Sequence, residues 1–225
     1  MPYRYAISDP HGCLDALGRA LDAVDLSGKN HLYLLGDYIP HVESCADAQD
    51  FASRSAQALT CVRAFEASHP GNVTVLAGNH ELYLLELEER GLIELSPDLK
   101  RWMKGLEFFA ECDEQVYVHA GIDEAAGEWW RWGSEPWYFC SKHPATFGRF
   151  AKDVIAGHVG APGLAGDPDF EGAYWDGESH YYVDASTEVT GRITILRYDV
   201  ARRTYAQQVA TAEGVSELLP VVAQS

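Results

Sequence analysis

The sequence predicts an α/β fold, because short apolar segments of strand length alternate with amphipathic helical segments along most of the chain. Polar residues follow several of these predicted strands directly, as they do at the carboxyl edge of α/β sheets. The chain has 225 residues, 47% of them hydrophobic, and so can bury a substantial core. We expect one domain over residues 1–225, since no internal repeat or low-complexity linker divides the chain.

The first half of the chain alternates strands and helices. Residues 3–8 predict a strand, and an amphipathic helix follows with Leu14, Leu17 and Leu21 on one face. Two further short strands are predicted over residues 32–35 and 73–77. Helices are predicted over residues 51–68, 81–90 and 97–104, the last with proline at a tolerated first-turn position.

Strands predominate in the second half. Two apolar runs flank Asp113-Glu114 as a possible hairpin, and residues 153–156 predict another strand. The last strands alternate apolar and polar side chains, which favours an antiparallel arrangement, and cover residues 181–184, 192–198 and 204–210. The glycine- and proline-rich stretch 163–177 is predicted to be a mobile surface loop.

The composition disfavours several classes of function. A net charge of -17 argues against binding to nucleic acid or to an anionic membrane, because both would be repelled. The five cysteines are scattered and never form a C-x-x-C pair, so neither a disulfide framework nor a zinc knuckle is indicated. No apolar run approaches membrane-spanning length, and we expect a cytoplasmic protein whose oligomeric state the sequence does not predict.

Five short motifs occur in order, each directly after a predicted strand. They are Asp9-Pro10-His11-Gly12, Gly36-Asp37, Gly78-Asn79-His80-Glu81, His119-Ala120-Gly121 and Gly157-His158. Most are weak alone, since an aspartate there can be a helix N-cap, Gly-Asp can be a turn, and a lone histidine is more often structural. Together they would bring carboxylate, amide and imidazole groups to one sheet edge, a ligand mixture suited to a pair of divalent ions.

With these motifs in this order, the chain resembles the calcineurin-like metallophosphoesterases. Within that family it resembles the phosphoprotein phosphatase branch, which also includes bacterial diadenosine tetraphosphate hydrolases. Val183-Asp184 and residues 191–194 look like the closing strands of the family. The resemblance implies a four-layer sandwich of two mixed β-sheets flanked by helices, and an enzyme that hydrolyses phosphoric esters.

The resemblance also implies a role for each motif residue. Six side chains would hold two divalent metals: Asp9 and His11 on one, Asn79, His119 and His158 on the other, and Asp37 bridging both. A hydroxide bridging the metals would attack phosphorus in line, and His80 would act as general acid or donor to the leaving oxygen. Manganese is the expected metal, and iron or zinc also suits nitrogen and oxygen ligands.

One motif departs from the family pattern. The family's second block reads Gly-Asp-x-x-Asp-Arg-Gly, whereas residues 36–42 read Gly-Asp-Tyr-Ile-Pro-His-Val. In relatives that aspartate orients the acid histidine and that arginine grips phosphate, so His41 is left as a weaker phosphate-binding candidate. Asp47, Asp50 and Arg54 could restore these roles, although an acidic surface turn and a helix start account for them more simply.

A second phosphate-binding candidate is Arg131. The run Trp129-Trp130-Arg131 resembles the family's Trp-x-Arg segment, and the planar guanidinium could grip phosphate. A surface arginine is the equally weighted alternative. The aromatic cluster within residues 129–139 could stack on a nucleobase, but packing of the loop onto the body accounts for it slightly better.

Three functions therefore remain open. The favoured one is a Ser/Thr protein phosphatase-like phosphomonoesterase, because the metal-binding set is complete and His80 is present. The alternatives are a bis(5'-nucleosyl)-tetraphosphatase-like nucleoside polyphosphate hydrolase and a degenerate metal-binding protein with little turnover. The expected partner is accordingly a phosphoprotein, a small phosphoester or a nucleoside polyphosphate.

Overall fold

The computed structural model describes residues 2–224, which form two β-sheets with helices on their outer faces. The strands are β1 (Tyr3–Ile7), β2 (His31–Leu34), β3 (Val73–Val75), β4 (Phe109–Glu111), β5 (Gln115–Val118), β6 (Asp153–Ala156), β7 (Tyr174–Trp175), β8 (His180–Tyr182), β9 (Ile193–Asp199), β10 (Thr204–Ala210) and β11 (Leu219–Pro220). The helices are α1 (Leu14–Asp22), α2 (Ala48–Ser68), α3 (Asn79–Glu89), α4 (Pro97–Met103), α5 (Trp130–Gly133), α6 (Pro136–Ser141), α7 (Ala161–Ala165) and α8 (Thr187–Thr190).

Both sheets mix parallel and antiparallel strands. The larger has the order β11-β10-β9-β1-β2-β3, and the smaller has the order β4-β5-β6-β8-β7. Strands β1, β2 and β3 are parallel to one another in the larger sheet, as are β5, β6 and β8 in the smaller. Parallel strands end at the same edge, so each sheet presents three carboxyl ends on one side.

Three hydrophobic layers receive the side chains that alternate in direction along the strands. In β1, Tyr5 and Ile7 pack under the helices that cover the larger sheet, while Ala6 packs between the sheets. In β6, Val154 packs toward α5 and α6 on the other outer face, while Ile155 points into the space between the sheets. The order of layers is therefore helix, sheet, sheet, helix, and the predicted four-layer α/β sandwich is confirmed.

Two details differ from the sequence-based expectation. The strand predicted over 181–184 does not join the antiparallel finish, because β8 pairs in parallel with β6 in the smaller sheet. The stretch 163–177 contains the end of α7 and all of β7, and the Ala173 amide donates to Gln207 Oε1 at 2.6 Å. Alternation alone does not specify which sheet a strand joins.

Candidate metal centre

The five motifs meet at the seam between the two sheets. The first three follow β1, β2 and β3 of the larger sheet, and the last two follow β5 and β6 of the smaller one. Hydrogen bonds cross the seam: the His158 amide donates to Asp9 Oδ2 at 3.0 Å, and His119 Nδ1 lies 3.0 Å from the Leu35 carbonyl oxygen. The site therefore exists only where the two sheets pack together, and the expectation that all the motifs share one sheet edge was wrong.

Four of the predicted ligands have left-handed backbone conformations. The φ angles of Asp9, His11, Asp37 and His158 are 54°, 42°, 56° and 63°. Such angles are uncommon outside glycine and cost free energy, so the surrounding fold must impose them. It does so partly by pairing the loops, since the amides of Asp9 and His11 donate to the carbonyls of Gly36 and Asp37 at 3.1 and 3.0 Å. The ligand loops after β1 and β2 are thus fixed to each other.

Small residues leave room for this convergence. A Cβ at Gly78 would overlap the Asp37 carboxylate, and a Cβ at Gly157 would overlap the Asp9 carboxylate. Glycine is required at both positions because the backbone passes directly against a predicted ligand.

Asp37 lies at the middle of the cluster. Its Oδ2 is 3.4 Å from His119 Nε2, 3.8 Å from His80 Nε2 and 3.9 Å from His11 Nε2. Two groups of three ligand atoms within 4.8 Å of one another share it: Asp9, His11 and Asp37 form one, and Asp37, His119 and His158 form the other. This geometry fits the bridging position that the resemblance to the metallophosphoesterases implied for Asp37.

Backbone carbonyls orient two of the histidines. His119 Nδ1 lies 3.0 Å from the Leu35 carbonyl, and His11 Nδ1 lies 3.3 Å from the Ile39 carbonyl. A carbonyl accepts only, so each Nδ1 carries the hydrogen and donates, which leaves the Nε2 lone pair facing the cluster when the ring is neutral. Both rings thus present the nitrogen that a metal ligand needs.

The amide of Asn79 completes the second group. The amide atom that faces the cluster lies 3.0 Å from both His119 Nε2 and His158 Nδ1 and 3.3 Å from Asp37 Oδ2. Most of the atoms around this amide carry lone pairs, so they could accept hydrogen bonds from the amide NH₂. They could equally coordinate a cation together with the amide oxygen. The donor set therefore fits a divalent metal on this side as well.

Burial sets the charge states that the cluster favours. Burial lowers the pKa of both His11 and His158 to about 4, so both rings are neutral at physiological pH. Burial would also lower the pKa of His119, but the Asp37 and Asp9 carboxylates outweigh it and raise that pKa to about 10. A proton on His119 balances the carboxylates in the absence of a cation, which marks the cluster as one that attracts positive charge.

Glu81 has a structural role that the motifs alone did not predict. Its buried carboxylate accepts hydrogen bonds from the amides of Asp37, Tyr38 and Gly78 at 2.8 to 2.9 Å. Burial is the main cause that raises the pKa of Glu81 to about 7, and the nearby charge of Asp37 is the second cause. Glu81 thereby fixes the two loops that carry Asp37 and Asn79, and its position in the third motif was the only sequence signal for that role.

Two further imidazoles, those of His80 and His41, lie at the mouth of the cluster. His80 donates its backbone amide to Asp37 Oδ1 at 2.9 Å, and its side chain is 19% exposed. The ring of His41 lies beside it, with 4.5 Å between ring centroids, and also 4.2 Å from the ring of His11. The structure thus brings His41 to the site despite the departure of its motif from the family pattern.

Arg131 is engaged elsewhere. Its Nε donates to Glu111 Oε2 at 2.6 Å, its second terminal nitrogen pairs with Glu111 Oε1, and its guanidinium lies over the Trp130 ring. A role in binding phosphate would require Arg131 to leave this pair, and it stays a prediction.

Asp47, Asp50 and Arg54, which could have replaced the missing Asp-Arg pair, lie instead in the surface turn and the helix start that account for them more simply. Asp47 is the N-cap of α2, Asp50 accepts from the Ala46 amide, and Arg54 donates to the Ser44 carbonyl.

The aromatic cluster within residues 129–139 divides in two. Trp130 and Phe139 are buried in the core, while Trp129, Trp132 and Trp137 are 71%, 72% and 59% exposed.

Comparison with known proteins agrees with this geometry. The chain belongs to the calcineurin-like phosphoesterase family, whose sequence model matches residues 5–193. The expected resemblance and the expected enzyme class, a phosphoester hydrolase, are thereby confirmed. Within residues 2–224 there is no helix with the length and apolar character needed to cross a membrane.

Individual relatives are more distant. A protein from Dechloromonas aromatica (strain RCB), described as a symmetrical bis(5'-nucleosyl)-tetraphosphatase, is 31% identical over 133 residues, which cover 52% of this chain and 43% of that protein. A protein of the same description from Vibrio campbellii is 29% identical over 133 residues, covering 52% of this chain and 44% of that protein. The matched segment thus spans less than half the length of these curated relatives.

A solved structure shares the fold. It is a protein serine/threonine phosphatase from Saccharomyces cerevisiae with similarity to human phosphatase PP5, and the match covers 99% of this chain and 81% of that one. The TM-score is 0.56 and the sequence identity is 11%, so the similarity establishes the architecture alone.

Proposed function

We propose that this chain hydrolyses phosphoesters at a centre of two divalent metals. Asp9 and His11 would hold one ion, Asn79, His119 and His158 would hold the other, and Asp37 would bridge them. The observation that carries the proposal is the pair of ligand groups within 4.8 Å that share Asp37. When bound, two such ions supply an activated water at neutral pH and neutralise charge on the phosphate.

The surrounding side chains would complete the chemistry. His80 lies beside Asp37 with its ring partly exposed, so it can reach the oxygen that leaves phosphorus and donate a proton to it. Only two of the six ligands are carboxylates, so a pair of dications keeps a net positive charge that attracts phosphate. This local charge outweighs the acidic character of the whole surface at short range.

The metal that we propose is manganese, with iron and zinc as competitors. The proposed ligands are oxygen and nitrogen atoms without a thiolate, a set that admits all three. Availability rather than geometry then determines occupancy.

The first substrate class that we propose is a phosphomonoester, including phosphoserine and phosphothreonine side chains. It is supported by a ligand set that fits the metals on both sides of Asp37 and by an acid histidine within reach. The second class is a nucleoside polyphosphate, favoured by the relatives described as tetraphosphatases and by three exposed tryptophans available for stacking.

A substrate panel separates these classes. Protein treated with a chelator is supplied with manganese, iron or zinc and assayed on an aryl phosphate, a phosphothreonine peptide and diadenosine tetraphosphate. We expect metal-dependent turnover that His80→Ala strongly reduces, whereas His69→Ala, at the end of α2, leaves it unchanged. Metal binding without turnover on any substrate would support the degenerate alternative, and absence of metal binding would refute the proposal.

A further inference from the structure

A carboxylate outside the five motifs, Glu188, lies at the mouth of the metal centre. Its Oε1 is 3.5 Å from His41 Nε2, and its Oε2 is 4.0 Å from His11 Nε2. The side chains of Glu188 and His41 are 33% and 35% exposed, so both border solvent as well as the cluster. Glu188 lies 147 positions after His41 in the chain and follows no strand directly. The sequence motifs therefore did not predict that the two would be neighbours.

The local fold fixes where Glu188 points. It lies in the short helix α8, which is preceded by Ser186 at a φ of 52° and followed by Gly191 at a φ of 67°. The Ser186 amide donates to Asp184 Oδ1 at 2.7 Å, and the Thr187 side chain is fully buried. A serine in the left-handed region is held there at a cost in free energy, so this turn is determined by its surroundings.

His41 has a nitrogen that lacks a partner. Its Nε2 is buried and makes no hydrogen bond among the described residues, although Glu188 Oε1 is only just beyond bonding distance. An unpaired buried nitrogen is unfavourable, so a shift of a few tenths of an ångström to form this bond would be favourable. The ring would then be held in one orientation at the mouth of the site.

Glu188 is better placed to orient His41 than to bind metal. Among the described residues, three groups have ligand atoms within 4.8 Å of one another, and Glu188 belongs to none of them. His41, by contrast, forms one of these groups with His11 and His80, so its ring lies directly beside the proposed ligands.

We propose that Glu188 is a positioning residue that holds His41 as a phosphate-binding group. In this arrangement Glu188 Oε1 accepts a hydrogen bond from His41 Nε2, which fixes the His41 ring beside the His80 ring, at the mouth where the substrate phosphate would bind. The pair places an oriented imidazole at the mouth of the site, where residues 40 and 41 lack the family's Asp-Arg pair. This inference rests on the proposed function.

The first test is a double-mutant cycle on the manganese-loaded protein. We expect Glu188→Gln and His41→Ala each to lower kcat/KM for an aryl phosphate about tenfold, mainly through KM, because each removes one charge-assisted contact. Glu188→Gln should add nothing in the His41→Ala background, because Glu188 acts through that ring. Glu217→Gln removes the same charge at an exposed position and should behave as wild type.

Two further readouts do not depend on turnover. Calorimetry with inorganic phosphate should show about tenfold weaker binding to the manganese-loaded Glu188→Gln protein, with unchanged metal stoichiometry. In the protein without metal, the ring ¹⁵N shifts of His41 should move in Glu188→Gln and stay constant in Glu217→Gln.

Several results would overturn the inference. Wild-type behaviour of Glu188→Gln, additive effects in the double mutant, or loss of a metal from Glu188→Gln would each show that Glu188 does not act by positioning His41. Failure of the proposed function looks different: the wild-type protein would lack turnover on every substrate, while the phosphate-binding and ¹⁵N measurements would still decide the role of Glu188.

Discussion

The floor of the candidate metal centre and its mouth are built on different principles. The floor consists of Asp9, His11, Asp37 and His119, which are at most 7% exposed and are held by backbone hydrogen bonds. The mouth consists of His80, His41 and Glu188, whose side chains are 19%, 35% and 33% exposed. The floor residues and His80 belong to the five motifs, whereas His41 lies where the second motif departs from the family pattern and Glu188 lies outside the motifs.

This difference indicates how the site can vary. A buried ligand cannot change without leaving another charge unpaired, whereas a group at the mouth can be replaced by any side chain that reaches the same phosphate oxygen. We therefore expect substitutions in the floor to abolish metal binding, and substitutions at the mouth to change rate and specificity while metal remains bound.

The largest effect should come from Asp37→Asn. Loss of the shared carboxylate weakens both ligand groups at once, so we expect at least a thousandfold loss of turnover together with reduced metal stoichiometry. Elemental analysis and the aryl phosphate assay check this, with the exposed Asp169→Asn as the matched control. Full metal content in Asp37→Asn would contradict the bridging role.

His80→Ala should have the next largest effect. Removing a general acid lowers kcat about 10² to 10⁴-fold, and metal content should be unchanged. The loss should be smaller for an aryl phosphate than for a phosphothreonine peptide, because a phenolate leaves without a proton more readily than an alkoxide. Equal losses on both substrates would show that His80 does not protonate the leaving oxygen.

The floor should also show a characteristic pH dependence. Because the pKa of His119 is raised from 6.5 to about 10, the folded protein without metal holds a proton that the unfolded chain releases. The stability due to this group is complete below pH 6.5 and is lost as pH rises toward 10. Melting temperatures of the protein without metal should therefore fall between pH 7 and 9.

Metal binding must displace the same proton. Apparent manganese affinity should thus rise about tenfold for each unit of pH between 7 and 9, as measured by competition with a chelator of known pH dependence. A melting temperature and an affinity that are both flat over this range would contradict the charge state inferred for His119.

Arg131→Ala should have the smallest effect of these changes. The guanidinium is paired with Glu111 on the surface of the smaller sheet, so we expect turnover to change less than threefold and stability to fall by about 1 kcal/mol. Thermal melting and the aryl phosphate assay measure both. A tenfold loss in kcat/KM would instead show that Arg131 leaves Glu111 to bind phosphate, and Glu111→Gln should then raise the affinity.

Much of this molecule followed from the sequence. The strand periods and the polar residues after them predicted an α/β fold, because burial on one or both faces constrains the side chains of every strand. The four-layer sandwich followed from the resemblance to the metallophosphoesterases. The five motifs predicted which residues would meet, because each follows a strand. They did not predict that three of these strands belong to the larger sheet and two to the smaller one. The single-domain organisation, the cytoplasmic location and the individual roles of the site residues stay predictions.

Other features were decided only by the packing of the two sheets. Sequence periodicity did not assign β8 to the smaller sheet, and it gave no sign that Glu188 would lie near His41 or that Arg131 would pair with Glu111. These contacts join residues far apart in the chain, and they depend on where whole elements dock rather than on local preference. The residue types of the metal centre were thus determined locally, and the electrostatic partners at its mouth were determined by the tertiary fold.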